Sequence, residues 1–417
     1  MSASTTVETP AATAVTPGRI QSIDLLRGAD VLLMLFVNEV AGVATAPAWL
    51  KHVSSDTDGM TITDVVFPAF LFIVGIAVPF ALGGRLRRGG SRLSALRHVL
   101  ARTAALLVMG VLMVNAENGV AGPLSAPVWT LVTTAGVFLL WGVPEAGFGR
   151  IPRPWLRSLG AALLLFAALV YRSPQATGLV HLRPHWWGIL GLIGWAYLAV
   201  STLYLLVGER KAALSGLVAL LYCVALADAA GGLGSLLPRP LLGPLLGTHA
   251  AITMAGALLG VLLRSHLQEP APARRLVGQA LALAGALATA GLLLHTLNAL
   301  HPAFRISKNH ATVPWGLLCS AITVAVWVAI YLVADVVGWR RWPRAVTITG
   351  ENPLIAYLLA PALLALFALA TPLFGGRNPY ESLAATTGVG LLRSAVFAWA
   401  VARLTGLLRA RGLRIQL

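Results

Sequence analysis

Residues 63–83 read TDVVFPAFLFIVGIAVPFALG, an apolar run in which Asp64 is the only charged residue. A helix of about 20 apolar residues crosses the hydrocarbon core of a bilayer, which is about 30 Å thick. This stretch is therefore typical of a membrane-spanning helix. With it, twelve candidate spans occur along the chain, near 25–45, 63–83, 99–116, 128–146, 156–171, 187–207, 212–230, 246–263, 276–297, 314–337, 348–370 and 387–407. The sequence predicts an all-α fold, a polytopic membrane helical bundle of about 12 transmembrane helices (10–12).

The composition of the whole chain supports this fold class. Hydrophobic residues make up 57% of the 417 residues and charged residues 11%, whereas a soluble domain carries about 25% charged residues. This composition excludes a water-soluble enzyme, a secreted disulfide scaffold and a disordered protein. The two cysteines, Cys223 and Cys319, both lie in apolar runs, so we expect no disulfide framework and no metal site.

The N-terminal segment differs in composition from the rest of the chain. Residues 1–18 are rich in Ser, Thr, Ala and Pro and contain no apolar segment. We expect a disordered tail there and no signal peptide. Residues 19–417 then form a single transmembrane domain.

The positive charges are distributed unevenly between the two sides of the membrane. Successive connections between spans lie alternately on one side and on the other. Of the 31 Lys and Arg residues, 23 fall on the side of the termini, seven fall on the other side, and Arg393 lies inside the last span. Cytoplasmic connections carry an excess of Lys and Arg, so both termini are predicted in the cytoplasm. Topology explains most of the net charge of +16, and no nucleic-acid partner is needed.

The first span and its flank contain Asp24, Arg27, Asp30, Asn38 and Glu39. An ionisable group at the centre of a membrane helix costs about 2.5–3.5 kcal/mol, so such groups usually face a protein interior or an aqueous cavity. Arg27 can pair with either aspartate, because each lies three residues away. Asn38 lies about 16 Å further along the helix axis, in the outer half of the membrane. The pattern favours the wall of a passage, with a structural ion cluster as the alternative.

The loop after this span brings a histidine close to carboxylates. Residues 46–64 read APAWLKHVSSDTDGMTITD and contain His52, Asp56, Asp58 and Asp64. A neutral imidazole beside a carboxylate is the usual group that accepts a proton near pH 7. One histidine with loosely spaced carboxylates does not favour a metal site. The loop therefore predicts acid–base chemistry.

Several motifs in order resemble the heparan-α-glucosaminide N-acetyltransferase family, especially its bacterial members. They are SxDxxRG at 22–28, VN at 37–38, KH at 51–52 and DGMTITDVVFPAFLFIVG at 58–75. Further similar stretches are LLVMGVLMVNAENG (106–119), HWWGILGLIGWAYL (185–198), LLGTHAAITMAGALLGVLL (245–263), RISKNHATVPW (305–315) and GENPLIAYLL (350–359). The KH pair followed by TxxDxVFP is the discriminating part, because broader membrane acyltransferase families share SxDxxRG.

The resemblance implies a transferase that takes acetyl from cytosolic acetyl-CoA and passes it to an amino sugar or glycan on the external side. It implies that His52, Asn38 and Asp64 are catalytic and that Lys308 and Asn309 match a Lys-Asn loop of the family. The lysosomal members carry an additional luminal domain and a preceding helix, which are not expected here. Three predicted helices between the fourth span and LLGTHAAI replace one helix of those members, so glucosamine specificity is not carried over.

For the chemistry we expect His52 to act as the base, with Asp64 or a neighbouring loop carboxylate to orient its ring. Asn38 would donate to the thioester oxygen or to the acceptor. A covalent acyl-histidine intermediate stays open as the alternative. The phosphates of CoA require cations or helix N-termini. The candidate residues for CoA are Arg27, Arg85, Arg88 and Asn352. The candidate residues for the acceptor are Glu117, Asn118, His185, Lys308 and Asn309.

Two other functions fit the sequence less completely. Pro353 and Pro361 within one span are typical of a multi-span transporter or flippase, and the same machinery could acylate a sugar hydroxyl as an O-acyltransferase. The resemblance places the protein in a bacterial plasma (inner) membrane as a multi-pass protein surrounded by lipids. A homodimer is expected only at the level of the family.

Overall fold

The computed structural model describes residues 20–144, 147, 151–174, 181–233, 246–269, 271–384, 386–415 and 417. Within these ranges the chain forms thirteen α-helices and one isolated β-bridge, between Ala121 and Arg172. The helices are α1 (Gln21–Val40), α2 (Ile62–Arg87), α3 (Arg92–Glu117), α4 (Ala126–Trp141), α5 (Arg153–Val170), α6 (Gly188–Val207), α7 (Lys211–Ala229), α8 (Thr248–Gln268), α9 (Ala273–His295), α10 (Val313–Tyr331), α11 (Arg344–Glu351), α12 (Pro353–Ala370) and α13 (Thr387–Ala410). The predicted disordered tail, 1–18, lies outside the described residues.

Ten of the described helices are long and apolar enough to cross a membrane. Two more predicted spans correspond to α1, which carries charged residues, and to α4, which has 16 residues. The eleventh predicted span is broken at Asn352, which separates α11 from α12. A proline disfavours the helical conformation of the residue before it, and Pro353 follows Asn352 directly. The predicted polytopic helical bundle is confirmed.

The centre of the bundle is the close contact between α2 and α8. A side-chain carbon at Gly256 of α8 would overlap the carbonyl of Phe72, and one at Gly75 of α2 would overlap the carbonyl of Thr253. Small residues let membrane helices approach to backbone contact. In contrast, only 22%, 22% and 28% of the apolar segments of α5, α7 and α9 are buried inside the bundle, as in helices that face lipid. The functional groups of α2 therefore sit on a buried and rigid element.

A second glycine contact joins α1 to α11. A side-chain carbon at Gly28 would overlap the carbonyl of Val346, and one at Gly350 would overlap the carbonyl of Asp24. The hydroxyl of Thr349 donates a hydrogen bond to the carbonyl of Gly28 at 3.1 Å. The glycine of the SxDxxRG motif is therefore required where two backbones touch.

Arg27 takes one of the two partners that its spacing allows. Its Nη1 atom lies 3.1 Å from Oδ1 of Asp24 and donates to the carbonyl of Gly350 at 3.1 Å. Asp30 is buried, with 7% of its surface exposed. The ion cluster thus joins α1 to the break between α11 and α12.

Three loops meet at one end of the bundle, which we call the His52 end. They are the loop after α1, the loop before α6 and the loop between α9 and α10. The first and third loops are joined directly, because the backbone amide of Gly59 donates to the carbonyl of Ile306 at 2.9 Å. The opposite end, which contains Arg27, is called the Arg27 end below.

Candidate functional site

Asp64 is held in the first turn of α2 and is 1% exposed. Its Oδ2 atom accepts hydrogen bonds from the backbone amide of Thr61 at 3.0 Å and from the hydroxyl of Thr61 at 3.1 Å. A carboxylate at this position of a capping box satisfies amides at the helix start and is stabilised by the helix dipole. The second oxygen, Oδ1, lies 2.6 Å from Nδ1 of His52. The helix start therefore positions one carboxylate against one imidazole.

This hydrogen bond determines which nitrogen of His52 is available for chemistry. In a neutral ring, a carboxylate at Asp64 requires the proton on Nδ1 of His52, which leaves the lone pair on Nε2. The side chain of His52 is 38% exposed. The pair can therefore accept a proton at Nε2 from a molecule that reaches the His52 end.

Lys308 contacts the same ring from another part of the chain. Its Nζ atom lies 3.1 Å from Nδ1 and 3.0 Å from Nε2 of His52. The two lone-pair directions of an imidazole diverge, so an ammonium equidistant from both nitrogens contacts the ring as a whole. Burial lowers the pKa of the Lys308 amine, and the carboxylate of Asp64 opposes that shift. A cation beside Nε2 can stabilise negative charge that develops on a reacting oxygen.

Asp58 has a structural contact instead of a contact with His52. Its Oδ1 atom accepts a hydrogen bond from the backbone amide of Ile306 at 2.8 Å, and its Oδ2 atom accepts one from Asn298 at 3.1 Å. These bonds fasten the loop of His52 to the loop of Lys308. Asp58 therefore positions the two loops that carry the site.

Lys308 lines a large cavity at the His52 end, whereas His52, Asp64 and Asn38 are not part of its wall. The cavity encloses about 990 Å³, and we call it the outer cavity. Its wall includes His185, Trp186, Trp187, Arg305, Lys308 and Asn309. Three of the predicted acceptor residues, His185, Lys308 and Asn309, thus lie together. Aromatic rings beside polar and charged groups give a wall that can contact both faces and hydroxyls of a sugar.

The backbone is strained at the rim of this cavity. Among the described residues, those other than glycine with positive φ are His185 (48°), Trp187 (72°) and Ala311 (47°), and all three line the outer cavity. Such conformations cost about 1–3 kcal/mol each and cluster at ligand sites. The strain therefore supports a binding role for this cavity.

A second, smaller cavity of about 280 Å³ extends toward the Arg27 end, and we call it the inner cavity. Its wall includes Arg27, Met34, Phe70, Arg102, Tyr197 and Tyr357. Arg27, Val31 and Met34 lie on one face of α1, and Asn38 continues that face toward the His52 end. Asn38 is exposed. One helix therefore connects the inner cavity to the level of the site.

Tyr197 and Tyr357 were not selected from the sequence as site residues, and Arg102 was not singled out individually. The guanidinium of Arg102 lies 4.8 Å from the ring centre of Tyr197, and its Nε atom is buried without a hydrogen-bond partner. The sequence signal for Arg102 is its position in an apolar helical run, because ionisable groups in a membrane helix usually face a cavity.

Other predicted residues lie away from both cavities. Arg85 and Arg88 are at the end of α2, and Asn352 lies at the break between α11 and α12, where its side chain donates to the carbonyl of Ile348 at 3.4 Å. None of the three lines either cavity, although Pro353 lines the inner one. Their contact with CoA stays a prediction.

Glu117 and Asn118 lie at the end of α3 and line neither cavity. The amide of Asn118 donates to the carbonyl of Val114 at 2.7 Å, within its own helix. The neighbouring Asn115, which the sequence did not single out, is buried and donates to the carbonyl of Arg183 at 2.7 Å. Asn115 thereby anchors the loop that carries His185.

Comparison with known proteins gives matches to part of the chain. A family model described as a domain of unknown function (DUF5009) matches residues 19–141. The heparan-alpha-glucosaminide N-acetyltransferase of Homo sapiens is 36% identical over 127 residues, which are 30% of this chain and 18% of that protein. Over that stretch the chain is similar to this transferase. The Mus musculus transferase is 37% identical over 125 residues, again 30% of this chain and 18% of that protein.

The alignments thus span less than a fifth of the length of these transferases. The segment that the family model matches contains α1 to α4, and with them Asn38, His52 and Asp64. His185 and Lys308 lie beyond it. The outer cavity is therefore built partly from residues outside that match.

Proposed function

We propose that this protein is an integral-membrane acyltransferase that moves an acetyl group from acetyl-CoA to an amine of an amino sugar or glycan. The observation that carries the proposal is the hydrogen-bonded pair of His52 and Asp64, which contacts Lys308 in the wall of a cavity of about 990 Å³. The names of the two relatives describe N-acetyl transfer to a glucosaminide. The acceptor of this chain belongs to the same broad class, and its identity is left to experiment.

In the proposed reaction, Nε2 of His52 removes a proton from the acceptor amine. The amine nitrogen bonds to the thioester carbonyl carbon as the carbon–sulfur bond breaks, and His52 returns the proton to the departing sulfur. Lys308 and Asn38 donate to the carbonyl oxygen while it carries negative charge. The products are an acetylated amine and free CoA thiol, so atoms and protons balance.

The donor is proposed to enter from the Arg27 end. Arg27 and Arg102 supply cations for its phosphates at the inner cavity. The buried Nε atom of Arg102 has no hydrogen-bond partner. It can therefore donate a hydrogen bond to a phosphate oxygen of the bound donor. The apolar walls between Val31 and Val74 suit the long, thin arm of CoA. This arm would cross part of a hydrocarbon core about 30 Å thick.

The charge asymmetry orients the protein in this proposal. Because 23 of the 31 Lys and Arg residues belong to the side of the termini, we place the Arg27 end in the cytosol and the His52 end outside. A bacterial plasma membrane gives the protein access to cytosolic acetyl-CoA and external glycans. The protein is proposed to work there as a multi-pass enzyme.

The proposal is tested with the full-length protein purified in nanodiscs. Acetyl-CoA is mixed with a panel of amino sugars and deacetylated glycans, and both thiol release and the mass of the acceptor are followed. His52→Ala should lower turnover by about 10²–10⁴-fold, the contribution of a general base. The matched control is His266→Ala, a histidine in the last turn of α8, away from His52. Wild-type turnover in His52→Ala would overturn the assignment of the base.

The same assay separates the other functions. An O-acyltransferase gives an ester that hydroxylamine cleaves, whereas an N-acetyltransferase gives a stable amide. A transporter or flippase moves solute across proteoliposomes without release of thiol. Acceptor-dependent thiol release with an amide product supports the proposal, and transport without thiol release overturns it.

A further inference from the structure

The outer and inner cavities share one wall residue among the described part of the chain. Ile189, the second residue of α6, lines both of them. The helix α2 shows the same boundary on the other side, because Phe67 lines the outer cavity and Phe70, one turn later, lines the inner one. The two cavities therefore adjoin at Ile189, and beyond it Leu192 lines the outer cavity while Ile193 lines the inner one.

This boundary lies between the proposed donor site and the base. Asp64, which binds His52, precedes Phe67 by one turn of α2, so the boundary lies about 5–9 Å deeper along that helix at 1.5 Å per residue. Arg27 and Arg102 line only the inner cavity. In the proposed reaction, the acyl group passes beside Ile189 from the inner to the outer cavity, whose wall includes Lys308, the residue that contacts His52.

The backbone at Ile189 is held in place by glycine contacts. A side-chain carbon at Gly188 would lie 2.8 Å from the carbonyl oxygen of Gly110 in α3. A side-chain carbon at Gly110 would lie 2.4 Å from the backbone nitrogen of Gly191 in α6. The preceding Trp187 packs edge-on against Trp195, with ring centres 5.3 Å apart. Ile189 also has a branched β carbon, which restricts its rotation. The start of α6 is therefore a fixed wall.

We propose that Ile189 is the constriction that selects the size of the acyl group delivered from the inner to the outer cavity. This inference rests on the proposed acyl transfer. An acetyl group on a thin arm passes beside one isoleucine side chain, and each added methylene meets the same fixed wall. Ile189 is thus a specificity-determining residue that takes no part in the proton transfer.

The first test measures donor selectivity. Wild type and Ile189→Ala are assayed with acetyl-CoA and butyryl-CoA, and kcat/KM is compared for the two donors. Ile189→Ala should raise the butyryl-to-acetyl ratio by about tenfold or more, since one methylene is worth about 10–200-fold in a fitted pocket. The matched control is Ile193→Ala, the same change one turn later in a residue that lines only the inner cavity. Equal ratios in the two variants would overturn the proposal.

The second test needs no enzymatic activity. Val74→Cys places a thiol in the inner cavity, in a chain whose two cysteines are replaced by serine. If that background does not fold, Cys223→Ser alone suffices, because Cys319 is buried. A membrane-impermeant maleimide is added from the His52 end of oriented vesicles. Labelling should accelerate about tenfold in Ile189→Ala and slow in Ile189→Trp.

The two tests fail in different ways. A labelling rate that is the same for every side chain at position 189 would show that the cavities do not join there. It would overturn the proposed constriction. Labelling that follows position 189, in a protein that transfers acyl groups from no donor, would instead overturn the proposed function and the acyl selectivity that rests on it.

Discussion

The Nζ atom of Lys308 lies 3.0 Å from Nε2 of His52, although the two residues are 256 positions apart in the chain. The loop between α9 and α10 thereby brings a cation to the nitrogen that is proposed to act as base. An ammonium in this place favours negative charge on a nearby oxygen. This effect suits a reaction in which an imidazole removes a proton as an oxyanion forms.

Lys308→Met should therefore lower kcat by about 10²–10³-fold, the cost of one lost donor to an oxyanion. KM for the acceptor should change much less, because the charge acts mainly when the oxyanion develops. Thiol release under saturating acetyl-CoA measures both parameters. Lys51→Met is the control, since the Lys51 amine donates to the carbonyl of Ala44 at 2.8 Å. An equal loss of kcat in the two variants would contradict the role of Lys308.

The lowered pKa of Lys308 can be measured directly by labelling. Burial disfavours the charged ammonium, so the fraction of neutral, reactive amine should rise at a lower pH than for an ordinary lysine, whose pKa is about 10.4. The chain contains three lysines, at 51, 211 and 308, so mass spectrometry resolves each site. The pH dependence of modification by an amine-reactive ester is compared for Lys308 and Lys211. A midpoint at Lys308 equal to or above that of Lys211 would contradict the expectation.

Asp64→Asn should separate ring orientation from helix capping. The amide can still accept from Thr61, but it no longer stabilises the proton on Nδ1 of His52, so kcat should fall by about 10²-fold or more. Thr61→Ala removes the hydroxyl that contacts Asp64 at 3.1 Å and the carbonyl of Lys51 at 2.7 Å, and it leaves the contact of Asp64 with His52. A smaller loss of kcat than in Asp64→Asn is expected for that control.

Direct transfer and an acyl-histidine intermediate differ in a single turnover without acceptor. We expect direct transfer, since one base at Nε2 suffices for the reaction. Enzyme at high concentration is mixed with acetyl-CoA, and released thiol is counted per protein. Less than about a tenth of one equivalent supports direct transfer, whereas a burst near one equivalent indicates covalent catalysis. A mass increase on the peptide that contains His52 would identify the attachment site.

Gly28→Ala tests the contact between α1 and α11. The added methyl group would overlap the carbonyl of Val346, so we expect a loss of about 1–3 kcal/mol of stability, typical of an overpacked core. The melting temperature of the protein in detergent measures this loss. Gly278→Ala is the control, because nothing lies within 4 Å of a side-chain carbon there and alanine is the better helix former by about 0.5–1 kcal/mol. A stabilising effect of both changes would contradict the close contact.

The local sequence predicted much of the fold. Apolar runs, the charge excess on one side and the order of the KH and TxxDxVFP motifs indicated a bundle of about twelve spans with His52 as the central residue. These features are local, because the length of an apolar run and the spacing of residues on one helix do not depend on distant contacts. The exception is the eleventh predicted span, 348–370, which is broken at Asn352, directly before a proline.

The choice among equivalent partners came only from the tertiary structure. Three loop carboxylates follow His52 within twelve residues, and Asp64 contacts it because the start of α2 fixes that side chain, whereas Asp58 turns to Ile306. Lys308 and the shared wall at Ile189 depend on contacts between helices far apart in the chain. The sequence by itself determined which segments enter the membrane, since transfer from water to lipid depends on composition. Which polar groups meet there was decided by helix packing, because that depends on backbone contacts such as Gly28 with Val346.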